Sequence, residues 1–211
     1  MSAEVFRELL EQRAAAANLT LNPVVQEKLE TYFSLLAHWN NRINLTSLPL
    51  DPPTPQTVDR LVVEPLLAAS HVDMNIAVWF DLGSGGGSPA IPLQLAHPAS
   101  RLIMVESRDR KAAFLREAIR ELSLAGAEVE VSRIEEVAAV SYNIGLADLV
   151  TVRAVKIGAS LLSQVQRLLR FRGQAVLFGT KISQASLPRG LELTETTGES
   201  RGILVLRRSG L

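Results

Sequence analysis

From residue 76 onward, short strand-like runs of apolar residues alternate with longer segments whose apolar residues recur at helical spacing. The strand-like runs are rich in β-branched and aromatic residues and cover residues 76–81, 101–106, 127–132, 148–152 and 174–179. The helical segments cover residues 88–96, 108–124, a short stretch from residue 134, and 157–170. This alternation predicts an α/β fold with a doubly wound, mostly parallel sheet.

The last part of the chain breaks that alternation. Residues 191–196 and 202–207 are two apolar segments joined by a turn from Gly198 to Gly202. Two such segments predict a β-hairpin. We therefore expect seven strands, of which the last runs against the others.

The first 70 residues have a helical pattern throughout. Residues 3–17 predict one helix, and Asn22-Pro23 is a cap followed by proline, which starts a second. Four prolines make residues 49–57 a stiff loop, and residues 57–71 return to helix, with Pro65 bending it or marking its start. We predict an N-terminal helical extension (1–70) packed on a second domain (71–211) without a flexible linker.

The first strand of the sheet leads directly into a glycine-rich turn, D-L-G-S-G-G-G-S-P at residues 81–89. Gly83 and Gly85 belong to four glycines within five positions, which let the backbone adopt positive φ and approach a ligand closely. Ser88 followed by proline predicts a helix N-cap, so that the turn ends at the positive end of a helix dipole. Such a turn suits a nucleotide-like cofactor. The alternative is a tight turn that binds nothing.

The spacing of polar residues helps to choose the cofactor. A dinucleotide fingerprint, G-x-G-x-x-G, needs glycine where this chain has Ser88. Glu106 ends the second strand, where an acidic residue can accept hydrogen bonds from both ribose hydroxyls. The glycine turn followed by this acid resembles the class I S-adenosylmethionine-dependent methyltransferases.

Composition and charge limit the remaining function classes. The chain has 47% apolar residues, no cysteine and three scattered histidines, so neither disulfides nor a metal cluster is expected. The sequence contains no apolar run of 18 residues, and we expect no signal peptide. We expect a cytoplasmic monomer that binds neither metal nor membrane.

The net charge of zero hides an asymmetry along the chain. Residues 151–211 carry ten of the 22 Lys and Arg residues but only three of the 22 Asp and Glu residues. The basic residues singled out there are Arg167, Arg170, Arg172, Lys181, Arg189, Arg201, Arg207 and Arg208. Such an excess indicates either a face for a polyanion or a solvated surface that happens to be basic.

Several motifs along nearly the whole chain resemble one methyltransferase family. They are W-N-N-R-I-N-L-T at 39–46, D-L-G-S-G-G-G-S-P-A-I-P-L at 81–93, K-A-A-F-L-R at 111–116, S-R-I-E-E at 132–136 and V-R-A at 152–154. Their types and order are similar to those of the bacterial small-subunit ribosomal RNA guanine-N7 methyltransferases, also called glucose-inhibited division protein B. The family's H-x-x-D-S motif falls on residues 61–65, where Glu64 takes the place of the aspartate.

This resemblance implies a reaction and a set of site residues. The reaction is transfer of a methyl group from S-adenosylmethionine to N7 of one guanine in 16S rRNA, either as RNA or in the small-subunit particle. The implied cofactor contacts are Gly83, Gly85, Ser88, Glu106, Ile134, Glu135 and Arg153. Arg153 and Lys181 are candidates for positioning the substrate. No catalytic group is assigned, because guanine N7 carries no proton that a base would have to remove.

Two alternatives to the ribosomal RNA substrate stay open. One is a methyltransferase that acts on a small molecule or a protein. The other is a catalytically silent relative that serves as a binding or assembly module.

Overall fold

The computed structural model describes residues 2–73, 75–196 and 202–210. One sheet contains seven strands: β1 (Val78–Leu82), β2 (Arg101–Val105), β3 (Ala127–Glu130), β4 (Ala147–Arg153), β5 (Leu169–Phe178), β6 (Leu191–Thr196) and β7 (Ile203–Arg208). Their order is β3-β2-β1-β4-β5-β7-β6. Strands β1 to β5 pair in parallel, and β7 is antiparallel to both neighbours. The predicted doubly wound sheet with a reversed last strand is confirmed, whereas most of the turn expected from Gly198 to Gly202 lies outside the described residues.

Eight α-helices are seen in the described ranges. They are α1 (Ser2–Ala16), α2 (Pro23–Asn40), α3 (Pro55–Val58), α4 (Glu64–Ala69), α5 (Ala90–Ala96), α6 (Asp109–Glu121), α7 (Ile134–Ala139) and α8 (Ala159–Leu168). The Asn22 side chain caps α2 by accepting a hydrogen bond from the Val24 N–H at 2.8 Å, as the Asn-Pro pair predicts. Within these ranges, no helix is both long and apolar enough to span a membrane.

Successive strand residues point to opposite faces of the sheet, and each face has its own core. Trp79 packs with the helical segments α1, α2, α5 and α6, whereas Phe80 packs with α7 and α8. The N-terminal helices share the first of these cores, in which Phe6 and Phe33 stack with ring centroids 4.0 Å apart. The helical extension is therefore packed on the sheet. A domain boundary at residue 70 stays a prediction.

The segment predicted as one helix over 57–71 is built of three pieces. Helix α3 leads into a π-helical turn, Asp59–Val63, and α4 then begins at Glu64 with Pro65 in its first turn. Proline lacks the N–H that an uninterrupted helix would need there. The expected disturbance at Pro65 is confirmed, and it takes the form of a wider turn just before the proline.

Strand β5 begins earlier than the predicted residue 174. Helix α8 ends at Leu168, and Leu169 already pairs with Ala147 of β4. The next pair joins Leu149 to Gln174, so four residues of β5 lie opposite the single residue Asp148. Residues 170–173 therefore form a bulge at the amino end of β5.

Candidate cofactor site

The glycine-rich turn after β1 has the backbone that its sequence predicts. Gly83, Gly85 and Gly87 have φ angles of +75°, +51° and +84°. A Cβ on Gly83 would lie 2.6 Å from Cγ2 of Val155, so glycine is required there for space as well as for conformation. A Cβ on Gly85 would make only ordinary van der Waals contacts, the nearest with the Gly83 carbonyl oxygen at 3.7 Å.

The prediction that Ser88 caps the next helix is wrong. Helix α5 starts at Ala90 with Pro89 at its cap position, and no side chain caps it. The Ser88–Pro89 peptide bond is cis. The Ser88 hydroxyl instead donates a hydrogen bond to the Leu61 carbonyl at 2.9 Å. That carbonyl has no α-helical partner, because the residue four positions later is Pro65.

Glu106 lies just beyond β2 and holds the glycine turn in place. Its Oε2 accepts a hydrogen bond from the Gly85 N–H at 3.0 Å, and its Oε1 accepts one from the Arg108 N–H at 2.9 Å. On the other side of the turn, the Tyr32 hydroxyl donates to the Gly86 carbonyl at 2.7 Å, and burial raises the pKa of this phenol. The turn is thus fixed from β2 and from α2.

These elements enclose a cavity of about 340 Å³ at the carboxyl ends of the parallel strands. Five predicted cofactor residues line it: Gly83, Gly85, Ser88, Glu106 and Arg153. Ile134 and Glu135 instead line an adjoining depression of about 300 Å³ that shares Gly83 and Glu106 with the cavity. Lys181 lines neither space and is exposed in the loop after β5. The structure therefore brings all the predicted cofactor residues to one region and leaves Lys181 outside it.

Arg153 closes the wall of the cavity at the end of β4. Its Nη2 lies 2.9 Å from Oε2 of Glu64, and its Nη1 donates to the Arg60 carbonyl. Its guanidinium carbon also lies 4.4 Å from the ring centroid of Phe178. The side chains of Arg153 and Glu64 are only 16% and 8% exposed, so this ion pair is largely shielded from water.

Burial acts against both charges of this pair. Burial lowers the pKa of Arg153 to about 10, although Glu64 opposes the shift. Burial likewise raises the pKa of Glu64, and Arg153 opposes that shift. With a pKa of about 10, Arg153 stays charged at neutral pH.

The π-helical turn explains why a backbone carbonyl is available to Arg153. In an α-helix, the Arg60 carbonyl would accept from the Glu64 N–H, but that group donates to Asp59 instead. The next N–H in line would belong to Pro65, which has none. The Arg60 carbonyl is therefore left for the Arg153 guanidinium.

Sequence reasoning missed Glu64, Phe178 and Arg60 as parts of this wall. The carboxylate that pairs with Arg153 is Glu64, and neither Asp148 nor Glu135 takes that place. Asp148 accepts hydrogen bonds from the N–H groups of Ala77 and Val78, and from Arg170. The sequence contained one indication that Glu64 matters: it occupies the position of an aspartate in the motif of the family that this chain resembles, next to Pro65.

A second buried carboxyl lies at the end of β1. Asp81 Oδ1 accepts a hydrogen bond from the Thr151 hydroxyl at 2.5 Å, and Thr151 accepts one from the Trp79 indole at 2.9 Å. Among the described residues, Asp81 Oδ2 has no hydrogen-bond partner. Burial raises the pKa of Asp81 to about 6.

Apart from Arg153, none of the described basic residues of the C-terminal segment lines the cavity. Lys181 lies near the cavity end of the sheet, two residues after Gly179, which lines the cavity. Most of the other basic residues lie at the opposite end, around the amino end of β5 and the carboxyl end of β7: Arg167, Arg170, Arg172, Arg189, Arg207 and Arg208. Arg201 falls outside the described residues.

The sheet order and the cavity beside a glycine turn define the class I methyltransferase fold. Solved structures agree: a methyltransferase from Geobacter sulfurreducens covers 90% of both chains with a TM-score of 0.58 at 17% identity. The cofactor-bound protein Rv0187 from MTB covers 86% of this chain and 89% of its own, with a TM-score of 0.60 at 18% identity. At these identities the likeness concerns the fold alone.

Sequence comparisons narrow the class to one family. The model of the GidB family, described as rRNA small subunit methyltransferase G, matches residues 25–196, and the chain belongs to this family. "Ribosomal RNA small subunit methyltransferase G" of Stenotrophomonas maltophilia is 35% identical over 190 residues, which are 86% of this chain and 82% of that protein. The protein of the same name from Dichelobacter nodosus is 40% identical over 131 residues, covering 61% and 59%.

Proposed function

We propose that this protein transfers a methyl group from S-adenosylmethionine to N7 of a guanine in the 16S rRNA of the small ribosomal subunit. The observation that carries the proposal is the cavity between the glycine turn and Glu106, in a chain of the rRNA small subunit methyltransferase G family. The family supports a methyl donor and an RNA substrate. The identity of the donor and of the methylated atom is the finer part of the proposal.

The cavity fits a nucleoside cofactor. Its volume of about 340 Å³ lies within the range of ligand pockets. The turn at Gly85 leaves room beside the backbone, and Glu106 is 7% exposed at the edge that both spaces share. We assign Glu106 to the ribose hydroxyls, and we assign Gly83, Gly85 and Ser88 to close backbone contact with the cofactor. Ile134 and Glu135 complete the site from the adjoining depression.

S-adenosylmethionine, when bound, supplies a methyl group attached to a positively charged sulfur. Guanine N7 has a lone pair and no proton, so no residue has to act as a general base. The protein must hold the nucleophile in line with the methyl carbon, and such positioning is worth about 7–11 kcal/mol. Arg153 suits this task because Glu64, the Arg60 carbonyl and Phe178 hold its side chain in one place.

Lys181 has a different place in the proposal. It is exposed in the loop after β5 and close in sequence to Gly179 at the cavity wall. A lysine there suits contact with the RNA phosphate backbone as the target guanine enters. We propose 16S rRNA or the small-subunit particle as the partner and the cytoplasm as the location. That the protein acts as a monomer without metal stays a prediction.

The direct test is a map of N7-methylguanine in 16S rRNA from cells with and without this gene. We expect one modified guanine to disappear on deletion and to return with the wild-type gene. A Glu106→Ala gene should fail to restore it although the protein accumulates normally. An unchanged map after deletion would refute the proposed function.

A further inference from the structure

The bulge at the amino end of β5 exposes an aromatic ring between two arginines. Phe171 is 56% exposed, and Arg170 and Arg172 on either side of it are exposed as well. Arg172 has a φ of +63°, a strained value for a residue with a side chain, and its guanidinium carbon lies 5.4 Å from the Phe171 ring centroid. Core packing does not require this arrangement, because the side chains concerned face solvent.

The surroundings of the bulge are also basic. The Arg208 guanidinium reaches the Leu169 carbonyl, which places this side chain beside the first residue of β5. The Arg167 carbonyl accepts from the Gly145 N–H at 2.8 Å, and Gln166 donates to the Arg189 carbonyl at 2.6 Å. These bonds bring Arg167, Arg189 and Arg208 to the same end of the sheet as the bulge.

Acidic side chains offset part of this charge. Asp148 pairs with Arg170, and Asp73 lies 3.6 Å from Arg207. Glu192 of β6 pairs in register with Arg207. Arg167, Arg172, Arg189 and Arg208 are not among the described ion pairs, so the end of the sheet keeps a positive excess.

One more exposed apolar side chain belongs to this end. Ile144 is 46% exposed in the segment that leads into β4, next to Gly145, whose N–H donates to the Arg167 carbonyl. Ile144 and Phe171 are two of the four large apolar side chains that the described residues expose to solvent. Aromatic rings interleaved with arginines are the surface chemistry that binds unpaired bases and their phosphates.

We propose that this surface, defined as Ile144, Arg167, Arg170, Phe171, Arg172 and Arg208, is a second RNA-binding site that anchors 16S rRNA away from the methylated guanine. The inference rests on the proposed function, because it takes the same RNA as its partner. The surface lies at the opposite end of the sheet from the cavity. The part of β5 between the bulge and the cavity, Gln174 to Phe178, is about 13 Å long. The contacts at this surface therefore serve nucleotides other than the guanine that enters the cavity.

The test compares equilibrium binding of purified variants to small-subunit particles and to protein-free 16S rRNA, without cofactor and over a series of salt concentrations. The double variant Arg167→Glu/Arg172→Glu reverses two solvent-facing charges, and Phe171→Ala removes the exposed ring. We expect the double variant to bind both RNA and particles at least about tenfold more weakly than the wild type. The slope of log affinity against log salt concentration should be smaller in magnitude by about 2. Phe171→Ala should weaken binding with little change in slope.

Arg120→Glu is the matched control. Arg120 is 73% exposed at the end of α6, a helix that packs on β3 at the far edge of the sheet. It should bind RNA as the wild type does, and melting temperatures should show that every variant folds. Equal affinity of the double variant and the Arg120→Glu control would overturn the proposal. A loss on particles but not on free RNA would also overturn it, and would indicate a ribosomal protein as the partner.

Two further readouts separate this inference from the proposed function. The double variant should still bind S-adenosylmethionine and should methylate particles at a normal kcat with a raised KM, because the cavity is intact. Failure of the wild type to methylate any guanine, with surface-dependent RNA binding retained, would refute the function and keep the second site. A normal KM in the double variant would overturn the second site and keep the function.

Discussion

Arg153 and Glu64 form an ion pair at the cavity wall, 2.9 Å apart, although 89 residues separate them in the chain. The pair connects the end of β4 to the start of α4, one residue beyond the π-helical turn. Through Arg60 and Phe178, the same guanidinium also contacts the π-helical turn and the end of β5. One arginine therefore fixes three segments that surround the site.

The first prediction concerns removal of one member of this pair. Arg153→Met keeps the length of the side chain but leaves the buried Glu64 carboxylate and the Arg60 carbonyl without their partner. We expect the free energy of unfolding to fall by about 3–5 kcal/mol, as for other buried pairs broken on one side. Denaturant unfolding, followed by circular dichroism, measures the change.

The matched double variant, Arg153→Met/Glu64→Leu, distinguishes the cost of an orphaned charge from the loss of packing. Removing both charges should recover most of the lost stability, because the buried carboxylate is gone. Cofactor affinity should stay low in both variants, since Arg153 lines the cavity and the family resemblance predicts that it contacts the cofactor. A double variant as unstable as the single one would contradict this account of the pair.

The second prediction concerns the glycine turn. Gly83→Ala adds a Cβ 2.6 Å from Val155 Cγ2 at a φ of +75°. We expect a loss of about 1–3 kcal/mol in stability and at least tenfold weaker cofactor binding, measured by calorimetry.

Gly145→Ala is the control for this variant. Its φ is +70°, but its Cβ would meet nothing closer than 4.0 Å, and it lies away from the cavity. It should therefore lose some stability through backbone strain and keep normal cofactor affinity. Equal cofactor affinity in Gly83→Ala and the wild type would show that the turn does not shape the site.

The third prediction is a pH dependence that belongs to Asp81. Its pKa is raised to about 6 in the folded protein, above the value of about 3.9 in an unfolded chain. Between these two pH values the folded state binds more protons than the unfolded state. The contribution of protonated Asp81 to the free energy of unfolding is therefore fully present below pH 4 and is lost as the pH rises through 6. The contribution is roughly 3 kcal/mol.

The measurement compares the wild type with Asp81→Asn in urea unfolding between pH 4 and pH 8. The difference between the two curves isolates Asp81, because the titration of Glu64 is common to both. The wild type should lose stability relative to the variant as the pH rises to about 7. Parallel curves would contradict the raised pKa.

The fourth prediction concerns Glu106. The two carboxylate oxygens of Glu106 each accept a hydrogen bond from a backbone N–H. In Glu106→Gln the side chain is an amide, which has only one acceptor oxygen. One of the two N–H groups, from Gly85 or Arg108, loses its partner. We expect cofactor affinity to fall by about 10- to 100-fold while the fold persists, since a hydrogen bond to a charged group is worth about 1.5–3 kcal/mol. A near-normal dissociation constant would exclude Glu106 as a cofactor ligand.

Local patterns in the sequence predicted the elements of the fold and the glycine turn that borders the cavity. Alternation of strand-like and helical segments indicated the sheet and its reversed last strand, and the glycines at 83–87 indicated the turn. Glu106 could be chosen because its place at the end of a strand is a local property.

The features that failed depend on residues distant in the sequence. Ser88 reads as a helix cap, but its hydroxyl bonds to Leu61, a carbonyl left free by Pro65. The partner of Arg153 is set by how α4 packs against β4, which local periodicity does not encode. The bulge at residues 170–173 arises from the register of β5 against β4, so its residues read as the end of one helix and a loop.

The most direct test of the central claim is methylation of purified small-subunit particles with S-adenosylmethionine labelled in its methyl group. We predict that the wild type places label on one guanine of 16S rRNA, and that the RNA becomes cleavable there by the chemistry specific for N7-methylguanine. Glu106→Ala should place none. Cofactor binding in the glycine-turn cavity without label on the RNA, or label on an atom other than N7, would contradict the account.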